Sequence, residues 1–223
     1  MTVNKGRIIG ILLLASFILG VVVYQVLQGP ILFADDFLTS AADNKNEIIA
    51  STVLGLLNGL ITIIIAVLIL PVFKKYNFGL SFLYLSFTII SFTMMAIDNV
   101  STFSLLDLSI SYSKHQEVNE ETISLISDLL YQRHWWTHYM SLLSSSFYMF
   151  TFYLLFYQSK LIPKILSLAG LIAVSMMFIE ILSSIFGQSI GMILMLPLGI
   201  IQLLLVVWLL IKGIKPNVEP HRQ

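Results

Sequence analysis

The chain has 223 residues, of which 57% are hydrophobic and 11% charged. A soluble domain carries about 25% charged residues, so this composition excludes an ordinary soluble protein, a nucleic-acid binder and a disordered chain. Twelve Lys and Arg balance twelve Asp and Glu, and the absence of cysteine excludes both disulfide staples and thiolate metal sites.

What remains is an all-α, polytopic membrane protein. A helix needs about 20 apolar residues to cross a hydrocarbon core about 30 Å thick. Backbone groups in lipid must bond internally, so the spans are helices and not open strands. Six stretches qualify, at about residues 8–27, 48–73, 80–97, 135–157, 165–186 and 192–211. The first follows Lys5 and Arg7 and is too long for a signal h-region, so it reads as an uncleaved span. Lys74 and Lys75 stop the second, and the third reaches Asp98. The fourth contains His138 and the fifth Glu180. Gly187, Gln188, Ser189, Ile190 and Gly191 break the apolar run that would otherwise fuse spans five and six. The whole of 1–223 reads as one membrane domain, a bundle of six helices with outer loops at about 28–47 and 98–134. Within the second loop, Asn119 followed by Glu120 and Glu121 reads as a helix N-cap with acids in the first turn. Ile123, Ile126, Leu129 and Leu130 then recur at helical spacing, predicting a helix on the outer surface or running into span four.

Loop cations set orientation. With the N-terminus inside, only Lys45, Lys114 and Arg133 of the twelve basic residues fall outside. Both termini are therefore expected in the cytoplasm, in a multi-pass protein of the cell membrane whose first partner is the lipid bilayer.

Three stretches carry a family resemblance. They are Lys5 to Leu12 near the start, Tyr157 to Leu166 around Pro163, and the closing Leu209 to Gly213. Together with six spans, they resemble the bacterial inner-membrane proteins of the 4386 domain-of-unknown-function family, over about residues 5–215. The resemblance implies a bacterial inner-membrane location and the six-helix layout. It brings no assigned activity, so no functional residue is carried over. Family members often have a basic–acidic pair in span three and a histidine opening span four. His134 matches the second feature; Asp98 supplies the acid of the first, without the arginine.

Ionisable residues inside a membrane are costly, and each is a candidate for function. Glu180 lies about 10 Å below the outer end of span five at 1.5 Å per residue. Its neighbours Met176 to Ile181 offer no partner, so it should be protonated and hydrogen-bonded, or turned toward His138. His134 and His138 form H-W-W-T-H, which places both imidazoles on one helix face. That pair can chelate Zn²⁺ if Asp98 or Glu180 supplies a third ligand. It lacks the glutamate of a metalloprotease motif. Beside Trp135 and Trp136, the histidines can equally sit in an interfacial aromatic belt. Arg133 reads as a snorkelling cation, Asn58 and Gln202 as interhelical glue, and Ser144, Ser145 and Ser146 as packing residues. No G-x-S-x-G elbow marks a serine nucleophile.

Asp98, His134, His138 and Glu180 all fall in the outer third of the bilayer, which predicts an outward-facing polar pocket. Three functions fit: binding of a small or lipid-like molecule, a metal-dependent hydrolase using His134 and His138, or a non-catalytic accessory protein. The absence of a complete catalytic signature places the hydrolase last. The catalytic residues, the ligand and the oligomeric state are not legible.

Overall fold

The structure, a computed structural model, describes residues 2–32, 34, 37–114 and 119–214. Every described element is helical. Helix α1 (Thr2–Val21) passes into a π-helical turn (Val22–Gln28) and a short α2 (Gly29–Leu32). There follow α3 (Phe37–Asp43), α4 (Lys45–Phe73), α5 (Phe78–Lys114), α6 (Glu120–Ser159) and α7 (Lys164–Ile185). A 3₁₀ turn (Met192–Leu194) leads into α8 (Leu196–Lys212). Among the described residues, six helical stretches are long and apolar enough to cross a membrane.

The helix ends follow local chemistry. Asn77 and Asn119 cap α5 and α6 through their side-chain oxygens, which accept the N–H groups of Leu80 and Glu121. Pro163 precedes α7, and a proline sits in the first turn of α8. Gly213 closes α8 at φ 66°, donating its N–H to the carbonyl of Leu209.

Both expected outer loops prove to be mostly helix. α5 does not stop at Asp98 but continues to Lys114, and α6 begins at Glu120. The second loop's predicted helix is thus the start of α6, continuous with span four. At about 1.5 Å per residue a helix of 37 residues is about 55 Å long, far more than the hydrocarbon core needs. A charge ends an apolar run without ending a helix, because the backbone ladder is indifferent to it. The extra turns are held by burial. Ile31, Leu32, Ala41, Ile48, Leu105 and Leu106 form an apolar cluster, with Leu130 and Tyr131 of α6 packed against it. The Ser109 hydroxyl donates to the carbonyl of Leu38 and ties α5 to α3.

The chain divides into two compact units, whose boundaries fall inside helices. The first comprises Met1–Ser16, Ile61–Ser91 and Leu142–Gln223. Its core is aromatic: Phe73 lies 5.1 Å from Phe156 and Tyr84 lies 5.5 Å from Phe152, centroid to centroid. Lipid supplies no hydrophobic drive between helices, so close backbone approach matters. Gly170 lies against the ring of Tyr153, and Gly6 against the backbone of Gly213 and Ile214, each where a Cβ would collide.

The second unit comprises Phe17–Leu60 and Phe92–Ser141. Here Gly59 of α4 faces Phe92 and Met95 of α5, and Gly55 one turn earlier faces Asn99. These small residues bring α4 and α5 together, and Asp98 lies on the α5 segment they dock.

Candidate functional site

Three side chains from one stretch of α6 converge on Asp98. His134, Thr137 and His138 are spaced i, i+3 and i+4, so they share one helix face. The intervening Trp136 points away and is 47% exposed. The His134 Nδ1 lies 3.1 Å from Asp98 Oδ1. The His138 Nδ1 lies 3.2 Å from Oδ2. Thr137 Oγ1 donates to Oδ1 at 2.9 Å and also lies 3.0 Å from the carbonyl of His134, so one hydroxyl proton serves two acceptors. Asp98 is 3% exposed and His134 5%, whereas the His138 side chain is 23% exposed.

An ionised carboxylate only accepts hydrogen bonds. With Asp98 ionised, the His138 nitrogen that faces it carries the proton, in the Nδ1–H form. His134 sits at ion-pair distance but off the line of a hydrogen bond, so its buried Nδ1 is only electrostatically satisfied. In a neutral ring of this tautomer, the opposite nitrogen Nε2 carries the lone pair. The cluster thus holds its acid and one ring inside and presents the second ring at its edge.

Aromatic rings line that edge. Tyr24 meets the His138 ring edge-on at 5.8 Å, and Tyr139 does so at 6.0 Å. Tyr24 rides on the π-helical turn, in which its carbonyl accepts the N–H of Gly29. A Cβ at Gly29 would lie 2.6 Å from that same oxygen, so the turn requires glycine. The amide Nδ2 of Asn99, next in sequence to Asp98, is buried without a hydrogen-bond partner.

Glu180 is satisfied elsewhere. Its Oε1 accepts from the Ser184 hydroxyl at 3.0 Å and the Ser189 hydroxyl at 2.8 Å. Its Oε2 accepts the backbone N–H groups of Ile190 and Gly191, each at 3.0 Å. The expectation that Glu180 has no local partner is therefore corrected. Its partners lie four to eleven residues on, brought back by the turn that Gly187 and Gly191 allow with φ of 75° and 121°. Four donors, and no cation among the described residues, describe a carboxylate that holds a loop. Glu180 belongs to the first unit, whereas Asp98, His134 and His138 belong to the second.

Neither acid considered as a third metal ligand is placed as one. Among the described residues, no group of three or more His, Cys, Asp or Glu side chains is arranged to hold a metal ion. The oxygens of Asp98 face ring nitrogens, and those of Glu180 face loop donors.

Other candidates resolve into packing. The hydroxyls of Ser145 and Ser146 return to the carbonyls of Leu142 and Leu143, each at 2.7 Å. Arg133 is exposed. Gln202 lines a cavity of about 30 Å³ with Ser16, Thr62 and Tyr84, room for a water. A larger groove of about 250 Å³ is walled by Phe87, Phe147, Phe150 and Phe178. Both cavities are lined by residues of the first unit.

Charge and spacing pick out both histidines and Asp98, but not Thr137, Tyr24 or the donors around Glu180. Thr137 was detectable as the i+3 member of the histidine face. Tyr24 was not, because a π turn shifts the register of everything after it.

The fold and these buried polar groups define a multi-pass, six-helix membrane protein. The chain belongs to the family described as Domain of unknown function (DUF4386), whose model matches residues 8–213. No curated protein and no solved structure matches it.

Proposed function

We propose that this is a binding protein of the cell membrane that takes a small or lipid-like molecule at the cluster of Asp98, His134, Thr137 and His138. One observation carries the reading: a buried carboxylate is coordinated by two imidazoles, and one of those rings is partly open. Buried ionisable groups of this kind are expensive to insert and are retained for use. Glu180, the fourth residue of the expected outer pocket, acts in this reading as a loop anchor. Both termini are cytoplasmic in the proposal, in keeping with the small number of basic residues in the 28–47 and 98–134 segments. A bacterial inner-membrane location accords with the family resemblance.

A second reading is a metal-dependent hydrolase. One feature favours it: histidines that ligate metals commonly donate their other N–H to a carboxylate, as the His138 ring is placed to do. Two nitrogens alone do not make a zinc site. A non-catalytic accessory role is the third.

Lipid mass spectrometry and elemental analysis on one purified sample separate the three. A retained small molecule or lipid that Asp98→Asn loses supports the binding reading. Stoichiometric zinc lost in His138→Ala supports the hydrolase. Neither result supports the accessory role.

A further inference from the structure

We propose that the first unit binds an anionic phospholipid, with the headgroup on the lysines of its two short connections and one acyl chain in the phenylalanine-walled groove of α5, α6 and α7. This site is separate from the Asp98 cluster and does not depend on the reading above.

The starting point is charge. Lys74 and Lys75 lie in the connection between α4 and α5, Lys160 follows α6 and Lys164 opens α7, and all four are exposed. The two connections are joined, because the Asn77 side-chain amide donates to Gln158 Oε1 at 3.1 Å. The same Asn77 caps α5, which fixes its side chain. Lys164 Nζ lies 5.6 Å from the centroid of the Tyr157 ring. Four cations therefore gather at one end of the unit. Among the described residues, Glu180 is the unit's only acid. It lies toward the opposite end of α7, about 24 Å from Lys164 at 1.5 Å per residue. The ion pairs among the described residues both belong to Asp98, so the chain neutralises none of these lysines. Clusters of about four or more cations beside membrane spans recognise anionic headgroups.

Lys160 adds a second observation. It ends α6 at φ 55°, donating its N–H to the carbonyl of Phe156. Glycine or asparagine suits that left-handed position better. A lysine there places a cation at the connection at a conformational cost.

The groove opens on the face of α6 that leads to these lysines. Phe147, Phe150, Leu154, Tyr157 and Gln158 recur at three- and four-residue steps and form one stripe. Phe147 meets Phe87 of α5 at 5.5 Å and Phe178 of α7 at 5.9 Å, and these rings wall the groove of about 250 Å³. Phe147 and Phe150 are each 41% exposed, so the groove is open at the surface. From Gln158 to Phe147 the helix rises about 16.5 Å, against about 15 Å for one leaflet of the hydrocarbon core. A chain hung from a headgroup at the lysines reaches the groove. The hydroxyls along it all turn back to their own helices. Ser146 donates to the carbonyl of Leu143, Thr151 to those of Phe147 and Tyr148, and Ser175 to that of Leu171. They leave no donor for a polar ligand, which suits hydrocarbon. Setting the orientation of the chain would require the lysines but not the groove.

The test uses the purified full-length chain in detergent. Palmitoyl-oleoyl phosphatidylglycerol and the phosphatidylcholine with the same chains are titrated onto it, and bound lipid is read by native mass spectrometry. Phosphatidylglycerol should bind more tightly. Glycerol phosphate, which has an anionic headgroup and no chains, should not displace it. Lys74→Gln combined with Lys75→Gln should weaken phosphatidylglycerol by about fivefold per lysine and leave phosphatidylcholine unchanged. Lys160→Gly should cost a similar factor while the melting temperature holds, since glycine adopts the same backbone freely. Ser175→Leu fills part of the groove without touching a charge, and should weaken both lipids by about fourfold for each methylene it displaces. Lys114→Gln, at an exposed lysine of the second unit, and Asp98→Asn should change nothing. Equal binding of the two lipids, displacement by glycerol phosphate, an unchanged preference in the double lysine variant, or unchanged binding in Ser175→Leu overturns the proposal. The lysines are exposed, so the charge comparison stands whether or not Ser175→Leu accumulates. Release of phosphatidylglycerol by Asp98→Asn would assign the lipid to the other cluster and overturn the proposal as well.

Discussion

Asp98 and Glu180 are both buried acids on apolar helices, each 3% exposed, yet they are satisfied in opposite ways. Glu180 collects two hydroxyls and two backbone N–H groups from Ser184 and the loop at residues 189–191. None of those donors titrates, and all arise within eleven residues of it. Asp98 collects a hydroxyl and two imidazoles from a different helix, about forty residues away in sequence. The first arrangement is a latch: it fixes the turn between α7 and α8 and has nothing to exchange. The second is built on a hydroxyl and two imidazole rings of another helix, and one of the rings is partly exposed. Buried charge alone therefore does not single out a functional residue. The chemistry of its partners does.

Replacing Glu180 should have the largest effect on stability. Glu180→Leu removes the acceptor of four donors; the buried Ser184 hydroxyl is stranded at a cost of about 1–3 kcal/mol, and the loop at Ser189, Ile190 and Gly191 loses the anchor that folds it back onto α7. Thermal unfolding in detergent should show a collapse of the melting temperature or failure to accumulate. Glu180→Gln keeps one acceptor oxygen and should fall between. A Leu variant as stable as wild type would dissolve the distinction between the two acids.

Gly29→Ala should come next. Its new methyl group would press on the carbonyl of Tyr24, within the π turn that carries that ring. Overpacking of this sort costs about 1–3 kcal/mol. The same unfolding assay should detect it. A neutral result would show that the π turn relaxes to an ordinary helix without penalty.

Within H-W-W-T-H the two helix faces should separate. Thr137→Val removes the hydroxyl donor to Asp98 and should cost about 1 kcal/mol. Trp136→Ala, on the exposed face, should stay within about 0.5 kcal/mol. A reversed order in the melting temperatures would mean that α6 is rotated from the orientation described.

The sequence made the six spans legible because each is an uninterrupted apolar run of membrane-spanning length, and Asn119 announced the start of α6. It hid the length of α5 and α6. Asp98 and Asp107 interrupt hydrophobicity, and nothing local says that Leu105 and Leu106 will bury against α2 and α3. The shared face of His134 and His138 follows from their spacing alone. Which acid they meet depends on how α5 is rotated, and the pairing of Gly55 and Gly59 with α5 settles that only in three dimensions. Glu180 was conspicuous for its charge, but its donors come from a turn whose backbone path depends on two glycines at positive φ.

The most direct test of the contrast measures ligand retention and stability together in Asp98→Asn and Glu180→Gln. Each variant is purified in parallel with wild type, its bound molecules are identified by mass spectrometry, and its melting temperature is recorded. Asp98→Asn should lose a molecule that wild type retains while keeping most of its stability, because an imidazole can switch tautomer and accept from the new amide, whereas the backbone N–H groups at Glu180 can only donate. Glu180→Gln should lose stability while retaining the molecule. If Glu180→Gln releases it and Asp98→Asn does not, the roles assigned to the two acids are wrong.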